Sequence, residues 1–73
     1  MAVKEENKEK GIISAINGPV IKGKNMTTFK MREMVTVGEQ RLIGEVIVLE
    51  GDVGTIQVYE ETEGLKTGEE ITP

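Results

Sequence analysis

The stretch LIGEVIVLEGDVGTIQVYE, from Leu42 to Glu60, carries the clearest strand pattern in this chain of 73 residues. Its first arm is an apolar run from Leu42 to Leu49, which ends at Gly51-Asp52, a pair typical of turns because both residues tolerate left-handed backbone. Gly44 interrupts the run and predicts a bulge or a corner, as where a sheet curls into a barrel. The stretch therefore predicts a β-hairpin with a bent first strand.

The second arm, TIQVYE, alternates apolar and polar residues, as expected of a strand with one buried face. The alternation assigns Ile56 and Val58 to the core. It assigns three residues to the opposite face: Thr55, Gln57 and Tyr59. Because the side-chain period of a strand is two, this assignment fixes the register of the whole hairpin.

Two shorter strands are predicted before this hairpin. The segment KGIISAI, residues 10–16, is rich in β-branched residues and ends at the turn signal NGP, residues 17–19, after which VIKG, residues 20–23, forms a second strand. The next segment, KNMTTFKMRE, residues 24–33, is weakly patterned and rich in threonine and methionine. It could be a wide loop or an irregular edge that closes a barrel, and we expect an extended loop.

A second hairpin is indicated by Val35 and Val37, which alternate with a threonine and precede a turn at residues 38–40. Towards the end of the chain, ETEGLKTGEE, residues 61–70, is expected to be a loop, and ITP, residues 71–73, to start the last strand. Short strands, glycine-marked turns and no helical period indicate an all-β sandwich or barrel. In so small a domain a closed barrel is favoured, because closure removes exposed sheet edges.

Composition excludes several classes of function. The chain has no cysteine and no histidine, which excludes disulfides, thiolate nucleophiles, imidazole bases and the usual zinc ligands. Thirteen acidic and nine basic residues give a net charge of -4, which disfavours contact with a nucleic acid backbone. A chain of this length forms one small domain without room for a deep pocket.

The pair Lys66-Thr67 lies between two glycines in EGLKTGEE and raises the question of a phosphate-binding loop. A P-loop requires glycine before the Lys-Thr pair and a helix after it, whereas here Gly68 follows the pair and the chain runs into a proline. The acidic run at residues 60–63 is expected to be a solvated loop, and Asp52 alone does not make a calcium loop. We therefore expect no catalytic, cofactor-binding or metal-binding residue.

The aromatic and methionine residues allow two interpretations of the surface. An OB-like barrel would bind single-stranded nucleic acid by stacking bases on aromatics, but Phe29 and Tyr59 lie in different segments without flanking basic clusters. The three methionines of the central region could form an adaptable contact surface, although filling gaps in the core is the more frequent use. They are Met26, Met31 and Met34.

The beginning of the chain, residues 1–9, is mostly charged and polar without an apolar face, and we expect a solvated leader before a single domain at residues 10–73. The leader lacks the apolar run of a signal peptide, and no later stretch approaches the roughly 18 apolar residues of a membrane span. A soluble, cytoplasmic protein without direct membrane contact is therefore expected.

Three segments together closely resemble the start of the catalytic A subunit of V-type and archaeal-type rotary ATPases. They are GPV at residues 18–20, KMREMVTVG at residues 30–38 and LIGEVIVLEGDVGTIQVYEETEGLKTGE at residues 42–69. The resemblance implies a six-stranded N-terminal β-barrel whose parent subunit hydrolyses or synthesises ATP in a separate nucleotide domain. It also implies a structural role, in which barrels of alternating A and B subunits form a ring on the head of a proton- or sodium-translocating complex.

This chain departs from the family pattern in two places. Arg32 stands where the family commonly has an aromatic residue, and KGKNMTTF, residues 22–29, is less apolar than its counterpart. Three hypotheses follow: an assembly domain of a rotary ATPase peripheral to the membrane, an OB-like nucleic-acid-binding barrel, and a fragment of a nucleotide-binding enzyme. The first predicts neighbouring B-subunit barrels as partners, no enzymatic activity in this chain alone, and an isolated chain that is monomeric.

Overall fold

The computed structural model describes residues 10–73, so the leader predicted at residues 1–9 lies outside the described residues. Six strands follow one another: β1 (Gly11–Asn17), β2 (Val20–Lys24), β3 (Met34–Val37), β4 (Leu42–Glu50), β5 (Val53–Val58) and β6 (Glu70–Thr72). All neighbouring pairs are antiparallel, and the sheet closes on itself in the order β1-β2-β5-β4-β3-β6. The predicted all-β, closed six-stranded barrel is confirmed.

Both predicted hairpins are present. β4 and β5 join through a tight turn in which Glu50 pairs with Val53 and Gly51 has a φ of 62°. In the other hairpin, Val37 pairs with Leu42 across the turn that begins at Gly38. Glycine suits the turn at residue 51 because a left-handed backbone carries no steric penalty without a Cβ atom.

The predicted register of β5 is confirmed. Ile56 and Val58 are buried in the core, whereas Tyr59 is 57% exposed. Thr55 and Gln57 point to the outer face and are half-buried. Alternation along this strand therefore separates a sealed inner face from an outer face that contacts solvent.

Of the two alternatives predicted for Gly44, a bulge or a corner, the bulge is wrong. Gly44 pairs in regular register with Val35 on one side and Val58 on the other, and the irregularity in β4 lies between Val46 and Val48. A Cβ atom at Gly44 would lie 2.7 Å from Cγ2 of Ile56 and 3.0 Å from a backbone carbonyl oxygen. Glycine is needed here for close approach of β5, which does not require a break in the hydrogen-bond ladder.

The segment between β2 and β3 is not the extended loop that we expected. It folds into two successive turns, in which the amide of Phe29 donates to the carbonyl of Met26 (3.1 Å) and that of Glu33 donates to the carbonyl of Lys30 (3.1 Å). The segment also bonds to β4, because the amide of Arg32 donates to the carbonyl of Val46 (2.7 Å). An extended conformation is excluded by these bonds and by the burial of two of its side chains in the barrel.

Met26 closes one end of the barrel. Its side chain is fully buried, and its amide donates to the carbonyl of Asp52 at 2.8 Å. Cβ atoms at three glycines of β1, β2 and β5 would come within 3 Å of the Met26 side chain. These glycines, Gly11, Gly23 and Gly54, leave the space that Met26 fills, so this methionine serves the core as the more frequent use of methionine predicts.

The core contains apolar side chains from every strand and from both long loops. Its members are Ile13, Ile21, Met26, Phe29, Val35, Val37, Leu42, Val46, Ile56, Val58, Leu65 and Ile71. Within residues 10–73 no polar or charged side chain is buried. Any recognition chemistry of the described residues therefore lies on the outside of the barrel.

Candidate interaction surface

Lys66 and Thr67 lie in an exposed turn, where the structure gives them none of the surroundings of a phosphate site. The neighbouring amide of Gly68 donates to the carbonyl of Ile13 (2.8 Å), and the amide of Glu69 donates to the carbonyl of Lys66 (3.3 Å). The segment that follows is β6, a strand rather than a helix. Two amides that a phosphate would need are thus already hydrogen-bonded within the barrel.

The acidic run at residues 60–63 forms the loop that we predicted, but two of its side chains also attach it to the barrel. A carboxylate oxygen of Glu60 accepts a hydrogen bond from the amide of Ile43 (2.9 Å), and the hydroxyl of Thr62 donates to the carbonyl of Gly18 (2.8 Å). Among the described residues, no group of three or more acidic, histidine or cysteine side chains is arranged to hold a metal ion. The two hydrogen bonds of Glu60 and Thr62 thus hold this loop against the barrel.

The two aromatic residues are on opposite sides of the barrel wall. Phe29 is buried in the core, whereas Tyr59 is exposed on the outer face. A stacking platform for bases requires adjacent exposed aromatics, and only Tyr59 is available for that role.

Three exposed apolar side chains lie together on one outer face, on β3, on β4 and directly after β5. We call this face the apolar wall: Met34, Ile43 and Tyr59, exposed by 53%, 42% and 57%. Pairing of Thr36 with Ile43 places Met34 diagonally beside Ile43, and the amide of Tyr59 donates to the carbonyl of Ile43 at 2.9 Å. A shallow groove beside Met34 and Ile43 reaches Pro73. Methionine and tyrosine are among the residue types enriched in protein interfaces.

A hydrogen bond and an ion pair link three side chains on the apolar wall: Arg32, Glu45 and Tyr59. The hydroxyl of Tyr59 donates to one carboxylate oxygen of Glu45, and Nη1 of Arg32 lies 3.4 Å from the other. The Glu45 side chain is 19% exposed, whereas that of Arg32 is 78% exposed. The Arg32 side chain is thus largely in solvent, whereas the Glu45 side chain is mostly covered by its neighbours.

The same contacts shift two pKa values in opposite directions. The hydrogen bond from Tyr59, helped by the Arg32 guanidinium, lowers the pKa of Glu45 although partial desolvation opposes this change. The hydrogen bond to Glu45 and desolvation raise the pKa of Tyr59. At neutral pH the wall therefore carries an ionised carboxylate bonded to a neutral phenol.

Sequence reasoning assigned no site residue and did not identify this cluster. The signal was available in the hairpin register, because pairing of Glu45 with Gln57 places Tyr59 diagonally opposite Glu45, within reach of a long side chain. Arg32 gave no such signal, since its position depends on a left-handed backbone (φ 70°) inside a loop without strand pattern.

In the part of the chain that the structure describes, no helix has the length and apolar character needed to cross a membrane.

Residues 13–73 match the family model described as the ATP synthase alpha/beta family, beta-barrel domain. The chain is 66% identical over 62 residues to the V-type ATP synthase alpha chain 2 of Clostridium tetani. It is 57% identical over 61 residues to the A subunit of the A-type ATP synthase of Methanosphaera stadtmanae, and 48% identical over 69 residues to the catalytic A subunit of the V-type proton ATPase of Cyanidium caldarium.

These matches cover most of this chain and a small part of each relative. The shares of this chain are 85%, 84% and 94%, and the shares of the three relatives are 10%, 10% and 12%. The chain thus spans about a tenth of the length of the curated relatives that it matches.

Proposed function

This chain belongs to the ATP synthase alpha/beta family, as the N-terminal β-barrel domain of a V-type or A-type ATPase catalytic A subunit, and we propose that it serves assembly. In this role the barrel contacts neighbouring barrels, those of B subunits, so that a ring of barrels forms on the hexameric head. The head is peripheral to the membrane, and its barrels are on the cytoplasmic side.

The observation that supports this proposal is the contrast between the barrel interior and its outer wall. Apolar side chains fill the interior, whereas Met34, Ile43 and Tyr59 remain exposed together on one face. A small domain gains stability by burying such residues, so their exposure on adjacent strands suits a surface that another protein covers.

Ring closure explains how a small barrel can contribute to assembly. A stable pairwise interface buries about 800 Å² on each partner, which is roughly a fifth of the 4447 Å² surface of this chain. We expect a contact centred on three exposed side chains, Met34, Ile43 and Tyr59, to bury less than that, and therefore an isolated chain to be monomeric at micromolar concentration. In a closed ring, weak contacts on both sides of each barrel add up.

ATP chemistry belongs, in this proposal, to other parts of the parent subunit. Lys66 and Thr67 are followed by a strand, and the adjacent Gly68 amide is bonded to Ile13. We expect no saturable amide shifts at residues 64–68 when the chain is titrated with magnesium ATP at micromolar concentration. Saturable shifts confined to that turn would favour the nucleotide-binding hypothesis instead.

The nucleic-acid-binding hypothesis receives no support from the arrangement of the side chains. One of the two aromatics is in the core, and the wall that carries the other also carries Glu45 and Glu60. Carboxylates on a binding face repel phosphates, so we expect only weak, salt-sensitive binding of single-stranded DNA or RNA.

Deletion of residues 10–73 from the parent subunit tests the assembly role. Light scattering after size-exclusion chromatography, with B subunits present, should show that the truncated subunit forms fewer hexamers than the intact one. Retained ATP binding by the truncated subunit is the control for its folding. Hexamers of undiminished stability without the barrel would contradict the proposal.

A further inference from the structure

The apolar wall has a counterpart on the opposite side of the barrel. In the closed order β1-β2-β5-β4-β3-β6, the strands β1 and β2 stand three positions away from β4 and β3. The outer face of the β1-β2 hairpin is therefore turned away from Met34 and Ile43. A contact that used both faces would be heterologous, because each barrel would offer a different surface to each neighbour.

The outer face of the β1-β2 hairpin is positively charged around an apolar residue. The segment from Gly11 to Lys24 contains no acidic residue, and its lysines, Lys22 and Lys24, are both exposed. Ile12 is 39% exposed and pairs with Lys24 on β2 and with Glu70 on β6, whose carboxylate lies 3.4 Å from Nζ of Lys10. The Lys10-Glu70 ion pair adds no net charge, so Lys22 and Lys24 leave this face positive. We call the face formed by Ile12, Lys22 and Lys24 the lysine wall.

The apolar wall carries the complementary charge. Glu45 lies between Met34 and Tyr59, bonded to the Tyr59 hydroxyl, and Glu60 lies against the amide of Ile43. Arg32 brings one positive charge, and its Nη1 lies 3.4 Å from a carboxylate oxygen of Glu45, so two carboxylates and one guanidinium leave this face with one net negative charge. The apolar centre of this face is thus bordered by net negative charge, and that of the other face by net positive charge.

We propose that the apolar wall of one barrel docks on the lysine wall of a second copy of this chain, head to tail. Met34, Ile43 and Tyr59 cover Ile12, while Glu45 and Glu60 face Lys22 and Lys24. This proposal goes beyond the assembly role and does not rest on it, since it concerns the isolated chain.

Charge decides between this arrangement and a symmetric dimer. Two apolar walls placed face to face would bring carboxylates of Glu45 and Glu60 together, and two lysine walls would bring ammonium groups together. In the head-to-tail pairing, the negatively charged apolar wall of one copy contacts the positively charged lysine wall of the other. Its small area predicts millimolar affinity, which agrees with a monomer at micromolar concentration.

The experiment is a dilution series of the isotopically labelled chain from about 2 mM to about 0.05 mM, a range that brackets millimolar affinity, followed by amide NMR. We expect concentration-dependent shifts on both walls, at residues 34, 43 and 45 and at residues 12, 22 and 24. The shifts should decrease in high salt, because screening weakens exposed charge pairs.

Charge reversal tests the pairing directly. Glu45→Lys alone, and Lys22→Glu with Lys24→Glu, should each reduce the concentration-dependent shifts at least about fivefold, as expected for like charges in contact. A mixture of the two variants should restore them, because the unchanged lysine wall of the Glu45→Lys variant meets the unchanged apolar wall of the other variant. Glu50→Lys, at the exposed end of β4 before the turn into β5, is the control for net charge and should change little.

Three outcomes would overturn the proposal. The first is no concentration-dependent shift up to about 2 mM, a concentration at which millimolar pairs are populated. The other two are shifts on one wall only and a mixture of variants that fails to restore the shifts. Amide spectra of each variant at the lowest concentration show whether it is folded. If Glu45→Lys is not folded, Ile43→Ser replaces it and should reduce the shifts on both walls; unchanged shifts would again overturn the proposal.

Discussion

The inner and outer faces of β4 and β5 are made of alternating residues of the same two strands, yet they have opposite properties. Val46 and Ile56 are fully buried and face one another across the hairpin. One residue away, Glu45 and Gln57 also form a pair, and Glu45 bonds to the exposed Tyr59. The inner face contains apolar side chains alone, whereas the outer face combines apolar groups with charge.

This difference separates the residues that stabilise the barrel from those that are available for recognition. Burial of apolar area on the inner face contributes about 25 cal/mol per Å², so changes there should affect folding. Exposed residues contribute little to folding, and their removal should affect contacts with other molecules. Substitutions on the two faces should therefore affect different measurements.

The largest loss of folding stability is expected from a substitution at the end of the barrel that Met26 closes. Met26→Ala should lower the free energy of unfolding by about 2–5 kcal/mol, because it removes burial and leaves a cavity between three glycines. Met31→Ala, in the same loop, is the matched control and should change it by no more than about 0.5 kcal/mol, since Met31 is 52% exposed. Urea unfolding of both variants provides the measurement, and equal losses would show that Met26 does not fill the barrel.

A smaller effect is expected on β5. Val58→Ala should cost about 1–3 kcal/mol through lost burial and a cavity, and Gln57→Ala should cost much less. Thermal and urea unfolding of the two variants tests this pair. Equal losses would mean that inner and outer faces are not distinct on this strand.

The smallest effect on stability is expected from the exposed cluster of Arg32, Glu45 and Tyr59, through its dependence on pH. The pKa of Glu45 is lowered in the folded state, so its contribution to stability is present above the ordinary carboxyl value and is lost as pH falls through the folded-state pKa. The pKa of Tyr59 is raised, so its contribution is present below the ordinary phenol value and is lost as pH rises through the folded-state pKa. The pair therefore contributes across the neutral range.

Tyr59→Phe tests the origin of the Glu45 shift. Removal of the hydroxyl takes away the largest cause, so an NMR titration of the Glu45 side chain should show its pKa rising towards the ordinary value. Arg32→Gln should also raise the pKa of Glu45, because it removes the hydrogen bond and the charge of the guanidinium. An unchanged pKa in the phenylalanine variant would show that the hydroxyl does not hold the carboxylate.

The sequence was sufficient to predict the parts of the fold that depend on local pattern. Alternation in TIQVYE located Ile56 and Val58 in the core, and glycine-marked turns located both hairpins. Closure into six strands followed from the family resemblance. These features depend on residues close in sequence, so a pattern of a few residues is enough to reveal them.

Other features depend on contacts between distant segments, and the pattern did not reveal them. The loop at residues 25–33 is shaped by Met26 entering the barrel and by bonds to Val46 in β4. Gly44 resembles a bulge in sequence, but the approach of Ile56 explains it. The cluster of Arg32, Glu45 and Tyr59 joins three segments, and only its Glu45-Tyr59 part could have been inferred from the hairpin register.

We propose that the apolar wall serves assembly while the inner face serves folding, and one substitution in the intact parent subunit separates these two roles. Ile43→Ser removes the centre of the wall, and Val48→Ser, on the same strand and equally exposed at 41%, is the matched control. Neither should change the stability of the barrel by more than about 1 kcal/mol.

The measurement is the dilution at which hexamers formed with B subunits dissociate, followed by light scattering. We expect Ile43→Ser hexamers to dissociate at concentrations at least about fivefold higher than Val48→Ser hexamers, which corresponds to about 1 kcal/mol lost in a contact. Hexamers of the two variants that dissociate at the same concentration would contradict the proposal.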